Sequence, residues 1–224
     1  MCVILIAPPK LRPDRATLEA CHRANPHGAG LAWRADGTVH YRKSDDVAEI
    51  HRLAERAAGE VVIHFRIATV GGARPELRHP FLVTGRSGLA EGGTAKAVLF
   101  QNGTWTGWKD AIAKAVADGH RAPVGPMSDA RAAAWLSHLY GPGYLAALEP
   151  SRWVFFTATE TILHGHWHAR DGLRFSNLNW CRGEYGAAGS GGTRPSAPRT
   201  GETTNLWGGE SRDYWAHLRA ACPK

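Results

Sequence analysis

The sequence predicts an α+β layered sandwich. Three observations support it: the first strand signal starts directly after residue 2, further strand signals precede residue 100 and return after residue 152, and two helices are expected between those two groups. A simple βαβ repeat would alternate the element types along the whole chain. The 224 residues, 43% of them apolar, are enough to bury one substantial core.

Taken in order, Val3 to Ala7 are β-branched or aliphatic and stop at Pro8-Pro9, which reads as a short buried strand. Leu31-Ala32-Trp33 and Val39-His40-Tyr41 flank Ala35-Asp36-Gly37, a hairpin in which Asp-Gly supplies the positive φ angles of the turn. Between Ser44 and Ala58, the positions Val47, Ile50, Leu53, Ala54 and Ala57 recur at helical spacing, with Ser44-Asp45 able to cap the start. Strands are expected over Val61 to Phe65 and Val98 to Phe100, and Gly92-Gly93-Thr94 is expected in a loop. A helix over Trp108 to Asp118 follows. Another begins after Ser128-Asp129, with Ala132, Trp135, Leu136 and Leu139 on one face. Strands return at Trp153 to Thr159, Ile162 to His168 and Leu173 to Phe175.

The expected division is one globular domain over 1–184, a linker or loop rich in Gly, Ser and Pro over 185–205, and a short aromatic helix over 206–224 carrying Trp207, Tyr214 and Trp215. The linker composition buries too little apolar surface to offset chain entropy.

A formal charge of +7 raises the question of nucleic acid, but the basic residues are scattered and no run of them is interleaved with aromatics, so that class is set aside. The apolar runs fall far short of the ~20 residues that cross a bilayer. The N-terminus lacks the basic region and cleavage site of a signal peptide. The four cysteines, Cys2, Cys21, Cys181 and Cys222, form no CxxC pair, which suits a reducing cytoplasm and points to no zinc site.

Chemistry is suggested first by Cys2. Removal of Met1 would place a thiol and a free α-amine on one residue. An α-amine with a pKa of about 7.7–8.0 can take the thiol proton and later return it to a leaving amine. Downstream come His64-Phe65-Arg66-Ile67-Ala68-Thr69-Val70-Gly71, then His79-Pro80-Phe81, Gln101-Asn102-Gly103 and Ser128-Asp129. Taken singly, Arg66 is as readily an ion-paired surface arginine, Asn102-Gly103 an ordinary turn and His79-Pro80 a loop dipeptide.

Together, in this order and each near the end of an expected element, they resemble the glutaminase domain of class II glutamine amidotransferases. The turn at Asn25-Pro26-His27-Gly28-Ala29-Gly30 is similar to that family's as well, and the matches reach about residue 140, or residue 180 if Ser176-Asn177-Leu178-Asn179 is counted. The resemblance implies the four-layer αββα sandwich of N-terminal-nucleophile (Ntn) hydrolases, with Cys2 as nucleophile and no cofactor or metal. It implies that Arg66 receives the α-carboxylate of glutamine on its planar fork and that Asp129 faces the α-ammonium. Asn102 and Gly103 would form the oxyanion hole, with donors worth about 3–4 kcal/mol each in the transition state. Thr69, through its backbone, and His79, through its ring, would line the glutamine pocket. The sequence departs from the family at Val70, where His is frequent, at Phe81, which replaces a second His, and at Gln101, where His is common.

The implied activity is hydrolysis of the side-chain amide of glutamine, or of a γ-glutamyl-like compound, through a Cys2 thioester. Because the chain ends soon after the glutaminase-like region, the ammonia is expected to pass to a separate synthetase or acceptor subunit. The alternatives are a stand-alone γ-glutamyl or small-amide hydrolase and a catalytically idle Ntn-fold interaction protein. His164, His166 and His168 alternate on the strand expected over Ile162 to His168 and would share one face, which reads as a polar strand face ahead of a metal site.

Overall fold

Side-chain alternation in the first strand sets the layering. In β1 (Val3–Ala7), Val3, Leu5 and Ala7 join one buried cluster while Ile4 and Ile6 join another. Successive residues of a strand face opposite sides of the sheet, so a wholly apolar strand needs cover on both. A computed structural model, which describes residues 1–148 and 151–181, shows that cover. The segments expected over 185–205 and 206–224 lie outside the described residues.

After β1 come α1 (Arg15–Ala24), the hairpin β2 (Ala29–Ala35) and β3 (Thr38–Ser44), α2 (Val47–Arg56) and β4 (Val61–Phe65). Then follow β5 (Phe81–Leu82), β6 (Gly92–Ala95), β7 (Ala97–Asn102), α3 (Trp108–Ala117), α4 (Asp129–Tyr140), β8 (Arg152–Thr157), β9 (Thr161–His164), β10 (His168–Arg170) and β11 (Leu173–Phe175). One sheet has the order β10-β11-β1-β4-β2-β3-β6 and the other β5-β7-β8-β9, and neighbouring strands run antiparallel.

Leu18 and Cys21 of α1 and Ile50 and Ala54 of α2 pack on Val3, Leu5, Leu31 and Ile63, covering one face of the larger sheet. Its other face meets the smaller sheet through Ile4, Ile6 and Val62 against Val98, Phe100, Val154 and Phe156. The smaller sheet is covered in turn by α4, where Ala130, Ala133 and Ala134 pack on Leu99, Trp153 and Phe155. The layers therefore run α, β, β, α, the expected sandwich. Burying each large aliphatic or aromatic side chain in it stabilises the fold by about 1.5–3 kcal/mol.

The hairpin turn is as expected, with Asp36 and Gly37 at φ 51° and 68°. Other elements differ from the sequence reading. Helix α1 was not foreseen, because only Leu18, Ala20 and Cys21 are buried in it; it is started by Asp14, whose carboxylate accepts from the Thr17 N–H at 2.6 Å. Helix α2 starts one residue later than expected, on Asp46, which accepts from the Ala48 N–H. Gly92-Gly93-Thr94 is not a loop: it forms edge strand β6, paired with β3 at His40 and Thr94. The strand expected over Ile162 to His168 breaks at Gly165 (φ 87°), so β9 stays in the smaller sheet and β10 joins the larger.

One close approach positions the next section of chain. A Cβ on Gly30 would stand 1.9 Å from the backbone oxygen of His79. Only glycine lets the segment leading to His79 cross β2 at that depth.

Candidate active site

Cys2 lies at the head of β1, and the pairing of Val3 with Phe65 carries it alongside the residues that follow β4. Its Sγ accepts from the Ile67 N–H and donates to the Ile67 carbonyl, both at 3.3 Å. From the other side, the Asn177 side chain donates to the Cys2 carbonyl at 2.7 Å, and Ser176 bonds Ile4 through both its backbone N–H and its hydroxyl. Cys2 is thus held by the segments that follow β4 and β11, its thiol by the first and its carbonyl by the second. Burial pushes its pKa up, against the lowering effects of the Ile67 hydrogen bond and the Arg66 charge, so the resting form is the thiol.

Cys2 opens on a cavity of about 310 Å³, counting the part open to solvent, which Arg66, Thr69, His79, Gly103 and Asp129 also line. Six of the seven residues singled out in the sequence therefore converge on one space. Asn102, the seventh, is buried beside it and is not among the lining residues. Its Nδ2 donates to the Ser176 hydroxyl at 2.7 Å.

Arg66 continues the line of β4 and is 4% exposed. Its Nη2 donates to the carbonyls of Val70 at 3.2 Å and Gly72 at 2.7 Å, which curls the intervening loop around the guanidinium. Its Nη1 is buried with no hydrogen-bond partner among the described residues. Asp129 is the first residue of α4, where the helix N-terminus favours negative charge. Its Oδ2 accepts from the Trp105 N–H at 2.9 Å and from Gln101 Nε2 at 3.1 Å. Burial raises its pKa, and these donors oppose the rise.

Gly103 follows β7 with φ 141°, and a Cβ there would lie 2.6 Å from the Ser151 hydroxyl. Only glycine fits there, so the chain passes close to Ser151 as it lines the cavity. Thr69 sits on the exposed rim.

His79 stacks on His64 with ring centroids 3.9 Å apart and meets the edge of Phe81 at 4.9 Å. His64 Nε2 lies 3.1 Å from the Gln101 carbonyl; a carbonyl only accepts, so the proton is on Nε2. Burial pushes the His64 pKa down to about 3, with a further push from the Arg66 charge. His79 is also held well below its ordinary value, by burial first and then by His64, Arg66 and Lys43. Two stacked imidazoles this close are stable only when neutral.

The sequence reading passed over the structural parts of the site. Gln101, Ser151, Ser176 and Asn177 act through partners 28 to 175 residues away. Gln101 and the Ser176-Asn177 pair stood inside the matched motifs, which was the one signal available for them. The three alternating histidines are not a face: His164 belongs to β9 and His168 to β10, while the His166 and His168 rings meet edge-on at 4.8 Å. Among the described residues no group of three His, Cys, Asp or Glu side chains could hold a metal ion, and no helix is long and apolar enough to cross a membrane.

Two of the solved structures that the fold matches belong to larger proteins. A structure of the allosteric regulatory enzyme of purine biosynthesis aligns at 19% identity and TM-score 0.52, covering 78% of this chain and 41% of that one. Glutamine phosphoribosylpyrophosphate amidotransferase from B. subtilis, complexed with ADP and GMP, aligns at 15% identity and TM-score 0.50, with coverages of 78% and 41%. The chain thus spans about two fifths of the length of each. No family model and no curated protein matches the sequence. At these identities the likeness is one of fold, a four-layer αββα sandwich of the Ntn-hydrolase type.

Proposed function

We propose that this chain, with the fold of an amidotransferase glutaminase domain as the premise, hydrolyses the side-chain amide of glutamine or a γ-glutamyl-like compound with Cys2 as N-terminal nucleophile. The observation that carries the reading is the content of one cavity: a thiol, a buried guanidinium whose Nη1 has no partner among the described residues, and a buried carboxylate. Arg66 and Asp129 together suit the carboxylate and ammonium of an amino acid, and Cys2 is then left for the side-chain amide.

Met1 is 63% exposed and so open to an aminopeptidase. Once it is removed, the Cys2 α-amine serves as the base that a protonated, buried thiol requires. Sγ attacks the amide carbon, and the carbonyl electrons move onto oxygen facing the Gly103 N–H; the expected Asn102 donor would have to turn from Ser176 to join it. As the C–N bond breaks, the α-ammonium returns its proton to the leaving nitrogen and ammonia departs. Water then cleaves the thioester, regenerating the thiol and releasing the carboxylic acid. Ammonia passes to an acceptor on a separate subunit, and the reducing cytoplasm keeps the nucleophile free.

Intact mass before and after treatment with 6-diazo-5-oxo-L-norleucine tests this, with Cys2→Ala as control. Loss of Met1 and one adduct, absent in the control, is the expected result. Retained Met1 rules out the terminal-nucleophile mechanism; a free but unlabelled Cys2 rules out glutamine as the substrate.

A further inference from the structure

Gln101 is the next-to-last residue of β7 and is 3% exposed. Its Nε2 donates to Asp129 Oδ2 and to the Ser151 hydroxyl, each at 3.1 Å. The orientation of this amide is set by charge: turned over, its oxygen would face the carboxylate as one acceptor against another. The Gln101 carbonyl meanwhile accepts from His64 Nε2, so one residue ties the smaller sheet to both α4 and β4.

The Gln101 and Trp105 donors converge on Oδ2 of Asp129. Rotation of the carboxylate would break both bonds, and the lone pairs left by these donors and by the Asp129 and Ala130 backbone are those that an ammonium group in the cavity can use. We infer that Gln101 is a positioning residue that fixes the Asp129 carboxylate to receive the α-ammonium of an amino-acid substrate, an assignment that rests on the function proposed above. The direction of the Asp129 pKa agrees. Burial raises it and the Gln101 hydrogen bond lowers it, so without that bond the carboxyl protonates at higher pH and loses its hold on the ammonium.

Gln101→Met keeps the volume and removes the donor; Gln101→His restores one N–H. For Gln101→Met the expected result is a KM for glutamine raised about tenfold or more with kcat held within about threefold, as loss of a charge-assisted hydrogen bond implies. The acid limb of the kcat/KM profile moves to higher pH, and Gln101→His returns KM towards wild type. An unchanged KM, or a fall in kcat alone, overturns the assignment. A carbon-13 NMR titration of Asp129 in the ligand-free protein, assigned with Asp129→Asn, decides independently of turnover: the carboxyl titrates at higher pH in Gln101→Met, and no movement overturns the coupling. Wild type that neither turns over glutamine nor takes up 6-diazo-5-oxo-L-norleucine sinks the proposed function and leaves that titration as the deciding readout.

Discussion

Arg66 divides its guanidinium between the protein and the cavity. Nη2 holds the carbonyls of Val70 and Gly72, while Nη1 is buried without a partner among the described residues. A lysine has a single ammonium for both tasks and no planar fork to match a carboxylate. Arg66→Lys is therefore expected to raise the KM for glutamine about tenfold or more and to change kcat by a few-fold at most, read from steady-state kinetics. An unaltered KM would remove Arg66 from the proposed substrate contacts. Asp129 is the opposite charge lining the same cavity, and Asp129→Asn is expected to raise KM in the same way while leaving the mass shift of Cys2 labelling at saturating reagent intact.

Helix α4 turns a capping motif into site geometry. The Ser128 hydroxyl accepts from the Arg131 N–H at 3.2 Å, and Asp129 is the next residue. Ser128→Ala should cost about 1 kcal/mol of stability, seen as a Tm lowered by a few degrees, and it should raise KM because the start of the helix no longer holds Asp129 in place. Unchanged KM alongside a lowered Tm would confine Ser128 to capping. The same helix shows why parts of the fold were legible. Its cap and its apolar positions coincide in the sequence, as those of α2 very nearly do. In α1 there are three buried side chains among charged ones, and β6 is a pair of glycines and a threonine made into a strand only by lying against β3. The α1 apolar stripe of Leu18 and Cys21 is only one turn long, and β6 has no alternation at all. Cys2, Arg66, Gly103 and Asp129 could be named because a motif holds each near the end of an element. The roles of Gln101, Ser176 and Asn177 exist only once distant strands meet.

Across the whole molecule, the stacked pair His64 and His79 couples stability to pH. Both are buried and kept neutral, His64 with a pKa pushed down to about 3. In the unfolded chain they take up protons near pH ~6.5. Their folded values lie below the unfolded ones, so the unfolded state binds more protons in between. Their contribution is fully present above about pH 6.5 and is lost as pH falls, the His64 share ending near its folded value of about 3. Urea midpoints measured from about pH 7 down to about pH 4.5 should decline, and His64→Gln should show a shallower slope. A flat profile would mean the pair is not buried in solution. The clamp on β1 has a further consequence, in time. Asn177, which holds the Cys2 carbonyl at 2.7 Å, leaves the ribosome 175 residues after it. Until then a nascent chain lacks that clamp, and the Cys2 backbone is set in position only when β11 and the residues after it have been made.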